Sequence, residues 1–329
     1  MKKITEGYFN EITLLKVMAT FLITWFHFKW TVPEIFSNLF VGGAIGNTLF
    51  FYTSGYLLHF RGEKFRGEWL LKKYIRIMPS IWVFTLFSEG NLGKWYNLIY
   101  PTNFWFVNVI LCYFAIVYLV LFVRIPAFSR LNCAFFNNLG GGKYLISLMF
   151  LACVTQIIWF YIFIYPCEKI VMDEGGFKCF FFFFFFLWGY WDRQKTSIWR
   201  GSGYSALLLP IAIIVFFAYK KWALTYMFLL SLQVFLVPVF LFLVLLSARK
   251  FVGYLNGLSF PDWVKKLCIV ISNLTLDIYI VQIALIDFIM PLFPYFPCNV
   301  VLTFVAICVA AFFNNRIAAW ISDKLNNYL

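Results

Sequence analysis

The sequence predicts an all-α bundle of membrane-spanning helices, about ten of them, forming one domain over residues 1–329. Three observations carry that expectation. Hydrophobic residues make up 63% of the chain and charged residues 12%, about half the charged fraction of a soluble domain. Several apolar runs exceed the ~18 residues that a spanning helix needs. Positive charge falls in alternate loops, as membrane topology requires. The formal charge of +13 is therefore assigned to sidedness and not to a nucleic-acid partner.

The spans are placed at 12–30, 38–60, 74–89, 102–123, 144–165, 177–191, 203–219, 222–247, 267–290 and 298–320. The first follows Met1, Lys2 and Lys3 without a small-residue cleavage site, so it is expected to be a retained span and not a signal peptide. The second carries closely spaced glycines and ends at His59, an interfacial residue beside Arg61. Basic residues gather ahead of the third, and an aromatic pair, Trp105 and Phe106, opens the fourth at the level of the outer aromatic belt. The sixth contains the run Phe180–Phe186, which reads as lipid-facing filler. The ninth concentrates polar residues, from Ser272 to Gln282. With the N-terminus in the cytoplasm, only Lys29, Lys94, Lys169, Lys178, Lys220 and Lys221 fall outside, leaving 21 of 27 Lys and Arg inside. Both termini are then cytoplasmic. The acidic loop of Glu168, Asp173 and Glu174 lies on the outer side.

The eight cysteines form no C-x-x-C pair and have no cysteine–histidine spacing suited to zinc, so no metal is expected. Cys112, Cys133, Cys153, Cys268 and Cys308 lie in or near apolar segments and are expected to pack as small hydrophobes. Cys167 and Cys179 bracket a short outer loop, where pairing stays open.

Ionisable residues inside a span are costly and mark function. Lys16 and His27 share the first span, eleven positions apart. That spacing is about 16 Å along a helix and returns to nearly the same face. A neutral imidazole there can act as general base on a hydroxyl; packing against a neighbouring helix, with Lys16 snorkelling to the surface, is the plainer account. In the second span Gly46, Ser54 and Gly55 allow close helix approach, and Asn47 and Ser54 are candidate partners for the His27 ring. Lys73 and Arg76 stand three apart at the entrance to the third span, a pairing that suits phosphate. Arg61, Lys64 and Arg66 are topological charges. In the ninth span Tyr279 and Gln282 share a face that suits acceptor contacts or helix–helix hydrogen bonds, whereas Asp277 points elsewhere.

In this order the residues resemble the acyltransferase 3 family of membrane-bound O-acyltransferases. The family's first-span basic residue and histidine match Lys16 and His27. Its G-x-x-G-x-x-x-F-F-x-x-S-G-F/Y pattern matches Gly43, Gly46, Phe50, Phe51, Ser54, Gly55 and Tyr56. Its R-x-x-R-I-x-P matches Lys73, Arg76, Ile77 and Pro79, its W-F matches Trp105 and Phe106, and its late pattern matches Ser272 and Tyr279. The chain departs from the pattern at Lys16 and Lys73, where arginine is common, and at Gln282, which replaces a late histidine.

The resemblance implies transfer of an acyl group, usually acetyl from cytoplasmic acetyl-CoA, to a hydroxyl of a surface glycan or lipid-linked sugar. It implies His27 as the catalytic residue, and Lys16, Lys73 and Arg76 on the coenzyme. Asn47, Ser54, Trp105, Tyr279 and Gln282 are the expected substrate contacts. Membrane lipid is the expected surrounding, in a plasma membrane such as the bacterial inner membrane. Whether His27 acts as base or as acyl carrier stays open. A transporter or flippase for a lipid-linked or anionic substrate is the rival reading, and a glycan polymerase or ligase a third.

Overall fold

A computed structural model describes residues 10–58, 68–88, 94–101, 104–122, 151, 154–155, 158, 175–194, 205–223, 233–257 and 261–327. Among them there is no strand, and ten α-helices carry the architecture: α1 (Glu11–His27), α2 (Glu34–Ser37), α3 (Gly43–Tyr56), α4 (Glu68–Phe87), α5 (Trp105–Phe122), α6 (Gly175–Gln194), α7 (Ser205–Ala223), α8 (Gln233–Gly257), α9 (Asp262–Leu292) and α10 (Cys298–Asn326). Four of the described segments are long and apolar enough to cross a membrane: Glu11–Trp30, Phe235–Tyr254, Asp262–Leu292 and Cys298–Asn326. The protein is a multi-pass membrane protein. The fifth expected span, 144–165, lies almost wholly outside the described residues, as do His59, Arg61, Lys64, Arg66, Cys133, Cys153 and Cys167.

Boundaries shift where local chemistry dictates. The N-terminus of α1 is capped by Asn10, whose side chain accepts from Thr13 N at 2.9 Å and supplies one otherwise orphaned donor with a partner. The second span begins later than expected, at Gly43, because Gly42 takes a left-handed φ of 111° and starts α3 afresh. Residues ahead of it fold over one end of the bundle: Trp25 stacks on Phe40 at 4.2 Å and donates to Leu39 O at 2.9 Å, and Phe36 stacks on Phe296 at 4.6 Å. The third span starts earlier than expected, at Glu68, so Lys73 and Arg76 lie inside α4. Residues 222 and 223, assigned to the eighth span, instead complete α7.

The bundle is organised around α1. It runs antiparallel to α3, with Gly43 against Phe26 and Gly46 against Ile23. It runs alongside α9 in the same direction, where Thr20 donates to Thr275 Oγ1 at 3.2 Å and Thr24 to Gln282 Oε1 at 2.7 Å. Helices α4 and α10 are antiparallel: Asn314 donates to Ser80 O at 3.0 Å and Ser322 to Ile75 O at 2.9 Å. Asp277, 1% exposed, accepts from Asn314 and Asn315, each at 2.7 Å. It faces α10, away from Gln282, and ties three helices together.

The Phe180–Phe186 run is not lipid-facing filler. Phe181, Phe182, Phe183, Phe185 and Phe186 are buried, and only Phe180 is exposed. They form the face of α6 that packs on α3 and α5; Phe182 stacks on Phe51 at 5.2 Å and Phe183 meets Tyr113 at 4.8 Å. Backbone contact makes that packing possible. A Cβ on Gly55 would sit 1.8 Å from Phe186 O, and one on Gly189 1.9 Å from Tyr52 O. Gly55 therefore has the close-approach role expected of it, and Gly189 is its counterpart on α6. The Tyr52 hydroxyl donates to Asp192 Oδ2 across the same contact. Cys112 is exposed rather than packed as a small hydrophobe, while Cys179, Cys268 and Cys308 are half-buried.

Candidate active site

The candidate site is the seam along α1 between the face that packs on α3 and the face that packs on α9. Ile23 and Phe26 face α3, and Thr20 and Thr24 face α9. At about 100° per residue, Lys16 and His27 both fall between those two faces. The expectation that they share one groove rests on the same period, and the neighbouring helices now supply its walls. On α3, Asn47 and Ser54 lie between the radial directions of Phe50 and Phe51, the rings that meet Phe106 of α5 at 4.3 and 4.4 Å. On α9, Tyr279 meets Phe106 at 4.7 Å. Fully buried Phe106 therefore bridges α3 and α9 across from α1.

His27 closes the last turn of α1 and is followed by a 3₁₀ turn at Phe28–Trp30. Its neighbours are rings, Phe26 at 5.9 Å and Trp30 at 6.4 Å. Among the described residues the imidazole makes no hydrogen bond, so its nitrogens are not committed to the fold.

Neither Asn47 nor Ser54 bonds the His27 ring, and helix register explains why. Pairing of Gly43 with Phe26 and Gly46 with Ile23 places Ser54 about 18 Å from His27 along the seam, and Asn47 about 8 Å from it. Ser54 is instead close to the level of Lys16. Asn47 Oδ1 is buried without a partner. Tyr279 is buried and Gln282 is 0% exposed. The Thr24 hydroxyl engages Gln282 Oε1, which leaves Gln282 Nε2 buried without a partner. Trp105 is 37% exposed and lies at the flank, with Lys178 Nζ 5.9 Å from its ring centroid. Its neighbour Phe106 is the residue inside the seam.

The other end of the seam is cationic. Lys73 Nζ sits 5.3 Å from the Trp69 ring centroid and 5.4 Å from that of Phe114. The charge of Arg76 acts on both Lys16 and Lys73, and that of Arg193 acts on Lys73. Arg193, in the last turn of α6, donates to Tyr56 O at 2.9 Å. Three cations singled out by spacing thus come together, and a fourth joins them. Arg193 carries no sequence signal beyond topology, because its place depends on how α6 packs against α3. Arg76 is exposed and able to meet a ligand at the surface.

Four cations thus stand at one end of the seam and an uncommitted imidazole toward the other. The chain belongs to the acyltransferase 3 family, whose acyltransferase domain matches residues 9–314. It is a membrane acyltransferase. No curated protein and no solved structure gives a significant match to the chain.

Proposed function

We propose that this acyltransferase moves an acetyl group from cytoplasmic acetyl-CoA to a hydroxyl of a surface glycan or lipid-linked sugar. The observation that carries this reading is the seam itself, with Lys16, Lys73, Arg76 and Arg193 at one end and His27 about 16 Å away along α1. The four cations suit the phosphates of the coenzyme. Arg76 and Arg193 offer forked donors and the two lysines point charges. The cationic end is the cytoplasmic one on this reading, consistent with the surplus of Lys and Arg assigned to that side. A plasma membrane, such as the inner membrane of a bacterium, fits an acceptor assembled at its outer face.

The pantetheine arm lies along the seam between α1, α3 and α9, with Phe50, Phe106 and Tyr279 as apolar walls. His27 takes the proton of the acceptor hydroxyl as that oxygen attacks the thioester carbonyl. The carbon–sulfur bond then breaks, and the imidazolium returns its proton to the departing thiolate. The products are an ester and free coenzyme A. Asn47 presents its unpartnered Oδ1 to the acceptor. Family membership favours transfer over the transporter reading, which predicts no use of a thioester.

Coenzyme A binding tests the assignment. Purified protein in lipid nanodiscs should bind acetyl-CoA, and Lys73→Ala/Arg76→Ala should weaken that binding at least tenfold. Undiminished affinity in the double variant would remove the cationic end from the donor site.

A further inference from the structure

Gln282 is the one polar side chain of the seam that is fully buried, held at one atom and unpartnered at the other. Thr24 Oγ1 donates to Gln282 Oε1 at 2.7 Å, and Nε2 is buried with no partner. A buried amide donor left unsatisfied costs about 1–3 kcal/mol. The helix–helix bond to Thr24 uses Oε1 alone and leaves the cost at Nε2 unexplained. Thr24 lies three residues before His27, one turn along the same helix, so the amide is anchored about 5 Å of helix rise from the imidazole's own position.

We propose that Gln282 Nε2 donates to the acyl carbonyl oxygen and stabilises the oxyanion formed when the acceptor attacks. This deepens the proposed acyl transfer and rests on it. As the acceptor oxygen bonds to the carbonyl carbon, its proton passes to His27 and the carbonyl π electrons move onto oxygen. The Gln282 N–H hydrogen-bonds that oxygen and keeps its own proton. Collapse re-forms the carbonyl and expels the thiolate, which takes the proton from His27. A preorganised donor in a water-poor site acts where charge develops, and loss of one such donor typically costs about 10²–10³-fold in kcat. Nε2 is buried with its hydrogen-bonding capacity unspent, and on this proposal the substrate carbonyl oxygen takes up that capacity as it enters the seam.

The test uses three variants in inside-out membrane vesicles that carry the native acceptor, with radiolabelled acetyl-CoA as the probe. Gln282→Met keeps size and removes the donor. Gln282→His keeps an N–H donor. Thr24→Val keeps the amide and removes the helix–helix hydrogen bond. Three readouts are taken: the kcat and KM of label transfer, coenzyme A affinity, and the melting temperature. Gln282→Met should lose about 10²–10³-fold in kcat, with KM and coenzyme A affinity unchanged. Gln282→His should recover at least part of that loss, and Thr24→Val should retain most of the activity. A Gln282→Met enzyme with wild-type kcat overturns the proposal, as does a Thr24→Val loss equal to that of Gln282→Met, which would make the clasp itself the important feature. Should Gln282→Met lose coenzyme A affinity through misfolding, a folded but inactive Gln282→His enzyme overturns it. Failure of the underlying function reads differently: wild type itself then transfers no label, and His27→Ala is indistinguishable from it.

Discussion

On the proposed reading His27 carries the chemistry, and it contributes little to the fold, because its imidazole makes only ring contacts among the described residues. His27→Ala should therefore abolish transfer while leaving the melting temperature within a few degrees of wild type. Chromatographic monodispersity together with label transfer checks both halves. At the other end of the seam, Arg193→Ala should weaken coenzyme A binding about as much as Arg76→Ala does. Loss of one charge-assisted hydrogen bond corresponds to about 1.5–3 kcal/mol, or roughly 10- to 100-fold in affinity. Equilibrium binding in nanodiscs measures it. Lys16, His27, Lys73 and Arg76 were legible because ionisable residues stand out in apolar spans and because eleven- and three-residue spacings fix a helix face. Arg193 was not, nor was the bridging role of Phe106, which the sequence marks only as half of an aromatic pair with Trp105. Their roles depend on which helices touch, and spacing within one helix does not report that.

At the level of elements, the contact between α3 and α6 depends on two glycines that let backbone meet backbone. Gly189→Val should destabilise the protein by about 1–3 kcal/mol or more, because the added Cβ meets a carbonyl oxygen, Tyr52 O, that no rotamer change can move. Thermal unfolding followed by fluorescence-detected chromatography provides the measurement. Gly46 and Gly55 were legible as approach points from their small size in an apolar helix. The phenylalanines of α6 misled for a physical reason. In a membrane both lipid and neighbouring helices are apolar, so a phenylalanine facing either reads alike. The start of α3 was misplaced because residues 38–42 are apolar enough to extend a span, while the left-handed Gly42 interrupts the helix.

For the whole molecule, composition alone made a membrane bundle legible, and positive-charge sidedness gathered the basic residues that the fold brings to one end. Interhelical polar bonds hold that bundle together where hydrophobicity gives no preference. Asp277 makes two of these, accepting from Asn314 and Asn315, while Asn314 also reaches Ser80 O. Asp277→Leu leaves Asn314 with Ser80 O alone and half-buried Asn315 without this acceptor, and a buried unsatisfied donor costs about 1–3 kcal/mol. It should therefore lower the melting temperature and yield of folded protein without altering coenzyme A affinity in the fraction that folds. The ninth span's polar content was legible, as was Asp277 facing away from Gln282; its partners on α10 were not, since Asn314 and Asn315 lie in a different span.

The central claim is that this seam transfers an acyl group and that His27 performs the transfer. Mass spectrometry of surface and lipid-linked glycans, from cells lacking the gene and from the same cells restored with wild type or His27→Ala, tests it most directly. The account predicts an acetyl-sized mass increment that returns only with wild type. Identical glycan acylation in all three strains would contradict it.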